Sequence, residues 1–225
     1  MTSRRYVQLD VFADTPGAGN PLAVVLDGEG LDDATMQAIA RWTRLPETTF
    51  VFPPVHADAS YGLRIFSPRR EVPFAGHPSV GTAHAVIEAG IATPRDGLLV
   101  QEGIAGLLPL QVTGSGPTRT IAVRTPRAKV MEIASRSDDP VYFLAVRAWV
   151  GAPAQFEDAA SGAANATLAA WLASQDALPG TDGRYRISQG REVGYDAIIE
   201  LYVDPEGEVW SGGRICNVVT GRIDW

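Results

Sequence analysis

The sequence predicts an α+β chain made of two similar halves, and three observations predict it. Short runs of alternating or wholly apolar residues, bounded by Gly and Pro, outnumber helical stripes along the 225 residues. Two apolar helices have related starts, Phe74-Ala75-Gly76-His77-Pro78-Ser79 and Phe156-Glu157-Asp158-Ala159-Ala160-Ser161. Each start follows an apolar strand with an embedded arginine, Arg64 or Arg147, and a turn. A repeat at so long a period implies duplication of a half-domain, not a solenoid.

The elements follow in order. Tyr6–Phe12 alternates and reads as a strand, and Thr15–Pro21 is turn chemistry throughout. Leu22–Leu26 is wholly apolar and reads as a central strand. Asp32 or Asp33 caps a helix with Met36, Ile39, Ala40 and Thr43 on one face, which Pro46 ends. Strands are predicted at Thr48–Pro53 and Tyr61–Phe66. A second helix carries Val80, Ala83, His84 and Ile87 inward and stops at Gly90. Leu98–Val112 is strand, turn, strand around Gly103 and Gly106. Ile121–Val123 and Val141–Trp149 are strands, and Ser161–Ser174 is a helix with Leu168, Trp171 and Leu172 inward. Four short strands close the chain: Tyr185–Ser188, Ile198–Val203, Val209–Ser211 and Ile215–Val219.

Composition excludes several functions. The formal net charge of −7 argues against a protein that tracks nucleic-acid phosphates. Cys216 is the only cysteine, which rules out an intrachain disulfide, a two-thiol racemase, a CxxC redox site and a multi-Cys zinc site. Its expected role is that of a small buried hydrophobe. Lys129 is the only lysine, so Schiff-base chemistry would rest on it alone, and no Gly-Lys-Ser/Thr run offers a P-loop. Asp10 and Asp14 break any apolar run behind Arg4-Arg5, and no stretch of 18 apolar residues occurs. The expectation is a cytoplasmic protein with no membrane span. No histidine spacing suggests a metal site.

Three windows contain residues suited to chemistry. At Gly76–Gly81, Gly76 permits close backbone approach and Pro78 suits a first helical turn. The amides there form a site for a carboxylate, with His77 beside it. Whether His77 and Ser79 bind or merely cap stays open from this window alone. At Asp158–Ala164, small residues leave room over a second helix start, and Asp158 is either a cap or a site carboxylate. Glu47 sits between a helix end and an apolar strand, where a carboxylate can be half-buried and its pKa pushed toward neutrality. The competing reading is a surface Glu at a turn. His84 reads as a core residue and His56 as a solvated one. A serine hydrolase built on Ser79 fails on chain order, because no His follows at a useful distance.

Taken together, these segments resemble the PhzF family, the phenazine-biosynthesis isomerase group related to diaminopimelate epimerase. The resemblance runs through Phe12, Gly19-Asn20-Pro21-Leu22-Ala23-Val24-Val25, Glu47-Thr48-Thr49-Phe50-Val51, Leu63–Pro68 and Glu71–Pro78. It continues through Gly81–His84, Glu157-Asp158, Ser161–Ala164, Gln189-Gly190 and Gly212-Gly213. It implies a diaminopimelate-epimerase-like fold, with each half a curled mixed sheet around a central helix and the active site in the cleft between them. The halves would be 1–105 and a shortened 106–225, the closing strand of the first coming from the C-terminal end. By the same resemblance Glu47 is the general base, with His77 and Asp158 supporting it. Asn20, Gly76, Ser79, Ser161, Gly162 and Ala163 would bind a small carboxylate.

The implied chemistry is proton transfer between carbons with no cofactor and no metal, in a homodimer serving secondary metabolism. Epimerisation, or metabolite binding without catalysis, are the alternatives. Ala163 stands where the family has a hydroxyl, Asn165 where a small residue is usual, and Gly194-Tyr195-Asp196 where Gly-Arg-Pro is common. A shortfall between about Leu107 and Arg147 puts substrate choice, dimer contacts and activity in doubt.

Overall fold

The computed structural model describes residues 2–126, 144–150, 156–179 and 182–225. The chain runs β1 (Ser3–Val11), β2 (Asn20–Val25), α1 (Asp33–Thr43), β3 (Glu47–Phe52), β4 (Tyr61–Phe66), β5 (Glu71–Val72) and α2 (Gly76–Glu88). Then come β6 (Leu98–Gly103), β7 (Gly106–Thr113), β8 (Thr120–Arg124), β9 (Leu144–Val146), β10 (Ala148–Val150) and β11 (Phe156–Asp158). The last elements are α3 (Gly162–Ser174), β12 (Arg184–Gln189), β13 (Ala197–Val203), β14 (Val209–Gly213) and β15 (Ile215–Asp224).

Most strands join one sheet in the order β15-β1-β2-β3-β4-β6-β7-β8-β14-β13-β12-β9, with β5 beside β4 and a separate β10-β11 pair. The sheet is continuous across residue 105, since β6 pairs with β7 and β7 with β8. One stretch of it curls around α2 and the next around α3. The junction is β8, which pairs with β7 on one side and β14 on the other. The C-terminal β15 returns to the first lobe and pairs antiparallel with β1.

Helix α2 is the axle of the first lobe. Its residues from Gly76 to Val86 are all buried, so it is enclosed by sheet and not laid on it. Val80 and Val86 are wholly buried, and each such side chain contributes about 1.5–3 kcal/mol. Thr82 on the helix is matched across to the sheet, its Oγ1 2.8 Å from Thr49 Oγ1 on β3. Outside the sheet, α1 is capped by Asp32, which accepts from Thr35 N. It packs Met36, Ile39 and Ala40 against Phe50 and Phe66, whose rings meet edge-on at 5.5 Å. It ends at Thr43, with Arg44 left-handed, before Pro46 is reached.

Helix α3 corrects one expectation. Its buried face is Gly162, Asn165, Ala166 and Ala169, whereas Trp171 and Leu172 are only half-buried. The helix is apolar on all sides, so periodicity could not choose a face. The start of α3 lies against that of α2, and this close approach favours small residues. The strand expected at Val141–Trp149 appears as β9 and β10, its first three positions lying outside the described residues.

The two lobes are also stitched by backbone. Phe12, fully buried and left-handed at φ 68°, accepts from Ile198 N at 2.9 Å and donates to Arg214 O at 2.8 Å. At the β8–β14 seam there is no room for a side chain on Gly212, whose Cβ would lie 2.2 Å from Ile121 O and 2.5 Å from Ala122 Cα. Those are strand backbone atoms that cannot step aside. Gly212→Ala is therefore expected to cost about 3 kcal/mol in urea unfolding, at the top of the usual overpacking range. Gly221→Ala, where a Cβ meets nothing, should stay within about 0.5 kcal/mol of the parent. Equal effects at the two positions would contradict the seam.

Candidate active site

Glu47 opens β3 directly after the α1 turn, in parallel register with Leu22 of β2. That places its carboxylate at the mouth of the first lobe, beside the start of α2. His77, the second residue of α2, points its Nε2 at Glu47 Oε2 across 3.3 Å. The other ring nitrogen is engaged by the Pro21 backbone, whose only polar group is its carbonyl. The imidazole therefore carries its proton on Nδ1 and turns the Nε2 lone pair toward Glu47. Burial pushes the His77 pKa down to about 3, partly opposed by the Pro21 bond. The pair is consequently a neutral imidazole against a carboxyl group, not an ion pair.

The second lobe supplies Asp158, the last residue of β11, paired with Ala148 of β10. Its Oδ1 accepts from Asn20 Nδ2 at 3.0 Å and from Ala160 N at 3.3 Å. Burial raises its pKa, and the bonds from Ala160, Asn20 and Ser161 pull it back. Across the cleft, Glu47 is raised to about 7, first by burial and then by the charge of Asp158. Its side chain keeps 20% exposure, enough for a ligand to reach it. A carboxylate near neutrality can both take and return a proton at physiological pH.

The remaining predicted residues divide by what they touch. Gly76 and Gly162 open the two helices and abut: a Cβ on Gly76 would lie 3.0 Å from Gly162 Cα, and one on Gly162 would lie 3.1 Å from Gly76 Cα. Both helix starts thus face one place, with the first-turn amides of Gly76, His77, Gly162 and Ala163 left over by helix geometry. Ser161 is the N-cap of α3 and accepts from Ala164 N at 3.3 Å. Ala163 is exposed on the first turn.

Asn20 is wholly buried, and its amide spans the lobes to Asp158 and to Ala160 O at 2.8 Å. Ser79 is wholly buried as well and spends its hydroxyl on Ala75 O and Gln101. Two buried glutamines and Asn165 were not predicted as site residues. Gln189 and Asn165 entered the sequence reading only through the family resemblance and Gln101 not at all, and it is the fold that brings them under the helix starts.

Elsewhere, His84 is buried, with Nε2 3.3 Å from Asn217 Nδ2 and its pKa lowered chiefly by burial. Cys216 is half-buried, its Sγ 3.5 Å from Ala13 O, and burial raises its pKa. Among the described residues, no group of three or more His, Cys, Asp and Glu is placed to hold a metal ion, and no helix is long and apolar enough to cross a membrane. The outer face of β7, β8, β12, β13 and β14 carries a groove of about 350 Å³ around Tyr202, Trp210 and Arg184, away from Glu47.

Residues 9–148 match the family described as phenazine biosynthesis-like protein, PhzC-PhzF. The chain is 43% identical over 133 residues to antisense-enhancing sequence 1 of Schizosaccharomyces pombe, covering 59% of this chain and 45% of that protein. It is 45% identical over 97 residues to a trans-2,3-dihydro-3-hydroxyanthranilate isomerase of Pseudomonas aeruginosa, covering 43% and 34%. Its matches thus span a third to a half of these relatives. A solved structure, a predicted epimerase from Pseudomonas aeruginosa, superposes with a TM-score of 0.80 at 25% identity, over 98% of this chain and 99% of that one.

The site's electrostatics predict a pH signature in stability. Glu47 holds its proton more tightly folded than unfolded, so its contribution is full below 4.5 and is lost as pH rises through about 7. Glu47→Gln does not titrate there. Its stability relative to the parent should therefore grow across that window, by at most about 3 kcal/mol. Urea unfolding at a series of pH values checks this, and a flat difference would mean that the carboxyl is not perturbed. His77 acts oppositely: its contribution is full above 6.5 and is lost as pH falls toward about 3.

Proposed function

The chain belongs to the phenazine biosynthesis-like (PhzC-PhzF) family, and on that premise we propose that it is a cofactor-independent isomerase. It moves a proton between carbons of a small unsaturated carboxylic or amino acid. The observation that carries this reading is the meeting of Glu47, His77 and Asp158 from two lobes at the paired starts of α2 and α3.

The Glu47 carboxylate removes a proton from a carbon made acidic by an adjacent carboxylate or unsaturated system. The electron pair moves into that system, and the proton is returned from Glu47 at another carbon, so the product is an isomer and the enzyme is unchanged. Neutral His77, with its Nε2 lone pair, stabilises the protonated form of Glu47 between the two steps. The leftover amides at both helix starts hold the substrate carboxylate and the charge that builds on it. Asp158 keeps Glu47 basic by repulsion.

A shortened relative that only binds a metabolite would be expected to have a flooded cleft. The 20% exposure of Glu47 and 7% of His77 support a site dry enough for carbon-acid chemistry. Cys216 has Asp10, Asp14 and Arg214 as its charged neighbours, which favours a carboxylate-led reaction over a thiol-led epimerisation.

The test is hydrogen exchange in D2O, followed by NMR, across a panel of small unsaturated carboxylic and amino acids. One panel member should exchange a carbon-bound hydrogen. Its rate should rise with pH through about 7 and fall about 10²–10⁴-fold in Glu47→Gln. Exchange that survives this substitution would remove Glu47 from the role.

A further inference from the structure

Each helix start in the cleft is gripped by a buried glutamine from the strand that follows the helix. In the first lobe, Gln101 of β6 donates through Nε2 to Ser79 Oγ at 3.1 Å, and Ser79 Oγ donates back one turn to Ala75 O at 3.0 Å. In the second, Gln189 at the end of β12 accepts through Oε1 from Asn165 Nδ2 at 2.7 Å. Asn165 Nδ2 also donates back one turn to Ser161 O at 2.8 Å. Ser79 and Asn165 hold the same place in α2 and α3, three residues after the opening glycine, and both are wholly buried. The repeat thus extends to a matched pair of side-chain clamps.

The second clamp reaches further. Gln189 Oε1 also accepts from Ser161 N at 3.2 Å, and its Nε2 donates to Asp158 O at 2.8 Å. One side chain, 1% exposed, therefore holds both ends of the turn that carries Asp158 into α3. We propose that Gln189, seated by Asn165, is a positioning residue that fixes Asp158 against Glu47 through the backbone of residues 158–161. Its bonds go to Ser161 N, Asn165 Nδ2 and the Asp158 backbone carbonyl, and to neither side-chain carboxylate. Asn165 completes the clamp by doing in the second lobe what Ser79 does in the first.

This rests on the reading of Glu47 and Asp158 as the working carboxylates. Among the described residues, the groups that act on Asp158 are Glu47, the Ala160 N–H, the Asn20 amide and the Ser161 hydroxyl, none of them cationic. Moving the turn should therefore show at Glu47 as lost repulsion and easier access of water, both of which lower its pKa.

The experiment is a carboxyl-¹³C NMR titration of Glu47 in Gln189→Met, Asn165→Ala and Asn165→Ser. In Gln189→Met the midpoint should move from about 7 toward 4.5, and in Asn165→Ala it should move part of the way. In Asn165→Ser it should stay near the parent value, because a serine already performs this task at position 79. A folded Gln189→Met with an unmoved midpoint would overturn the proposal. So would an Asn165→Ser that falls as far as Asn165→Ala, and that pair decides the matter if Gln189→Met does not fold. Absence of substrate exchange in the parent would sink the isomerase reading but leave this titration interpretable, so the two failures are distinguishable.

Discussion

The architecture turns on the contact between Gly76 and Gly162. Neither position has room for a Cβ without pressing on the other's backbone. Because the helices meet there, the first lobe can present Glu47 and His77 to Asp158 from the second, and two helix N-termini pool their positive ends at one spot. Buried polar atoms gather at the same place: Asn20 Oδ1, His77 Nε2, Asn165 Oδ1 and Ser211 Oγ all belong to it.

Electrostatically the site works by withholding charge. Two carboxylates face each other in a half-closed cleft, and the ring beside them stays neutral because burial disfavours the imidazolium. Among the described residues, no cationic side chain acts on either carboxylate, and the positive features are oriented amides whose direction is fixed by helices that are themselves fixed by packing. Such dipoles need no reorganisation when charge develops on a bound anion. His77 illustrates the economy of the arrangement: the Pro21 carbonyl accepts from one ring N–H, which determines the face shown to Glu47.

Much of this was legible in the sequence because local rules and the global fold agree. The α1 stripe of Met36, Ile39 and Ala40 and the end of α2 before Gly90 appear where periodicity and turn chemistry put them, whereas the α2 stripe understated a helix buried on every side from Gly76 to Val86. Glu47 was legible as a carboxylate at an element boundary, between Pro46 and the Thr48–Phe52 run, but its burial was not, because a surface turn fits the same residues. What failed did so for physical reasons. The α3 stripe was misassigned because a helix apolar on every side has no moment to read. The echo between Phe74 and Phe156 was real but a helical turn out of step. The structural equivalence joins Gly76 to Gly162, and so aligns His77 with Ala163 and Ser79 with Asn165. The glutamine clamps were invisible because their partners lie on separate elements, brought together only by the sheet.

Glu47 owes its basicity to enclosure at the helix junction, with Asp158 as the second cause. The direct test is the carboxyl titration of Glu47 by ¹³C NMR in the parent and in Asp158→Asn. A midpoint near 7 in the parent is predicted, lower in Asp158→Asn but still above 4.5, because burial is the larger cause. A parent midpoint at 4.5 would mean that neither enclosure nor Asp158 sets the basicity of Glu47, and one indifferent to Asp158→Asn that Asp158 does not.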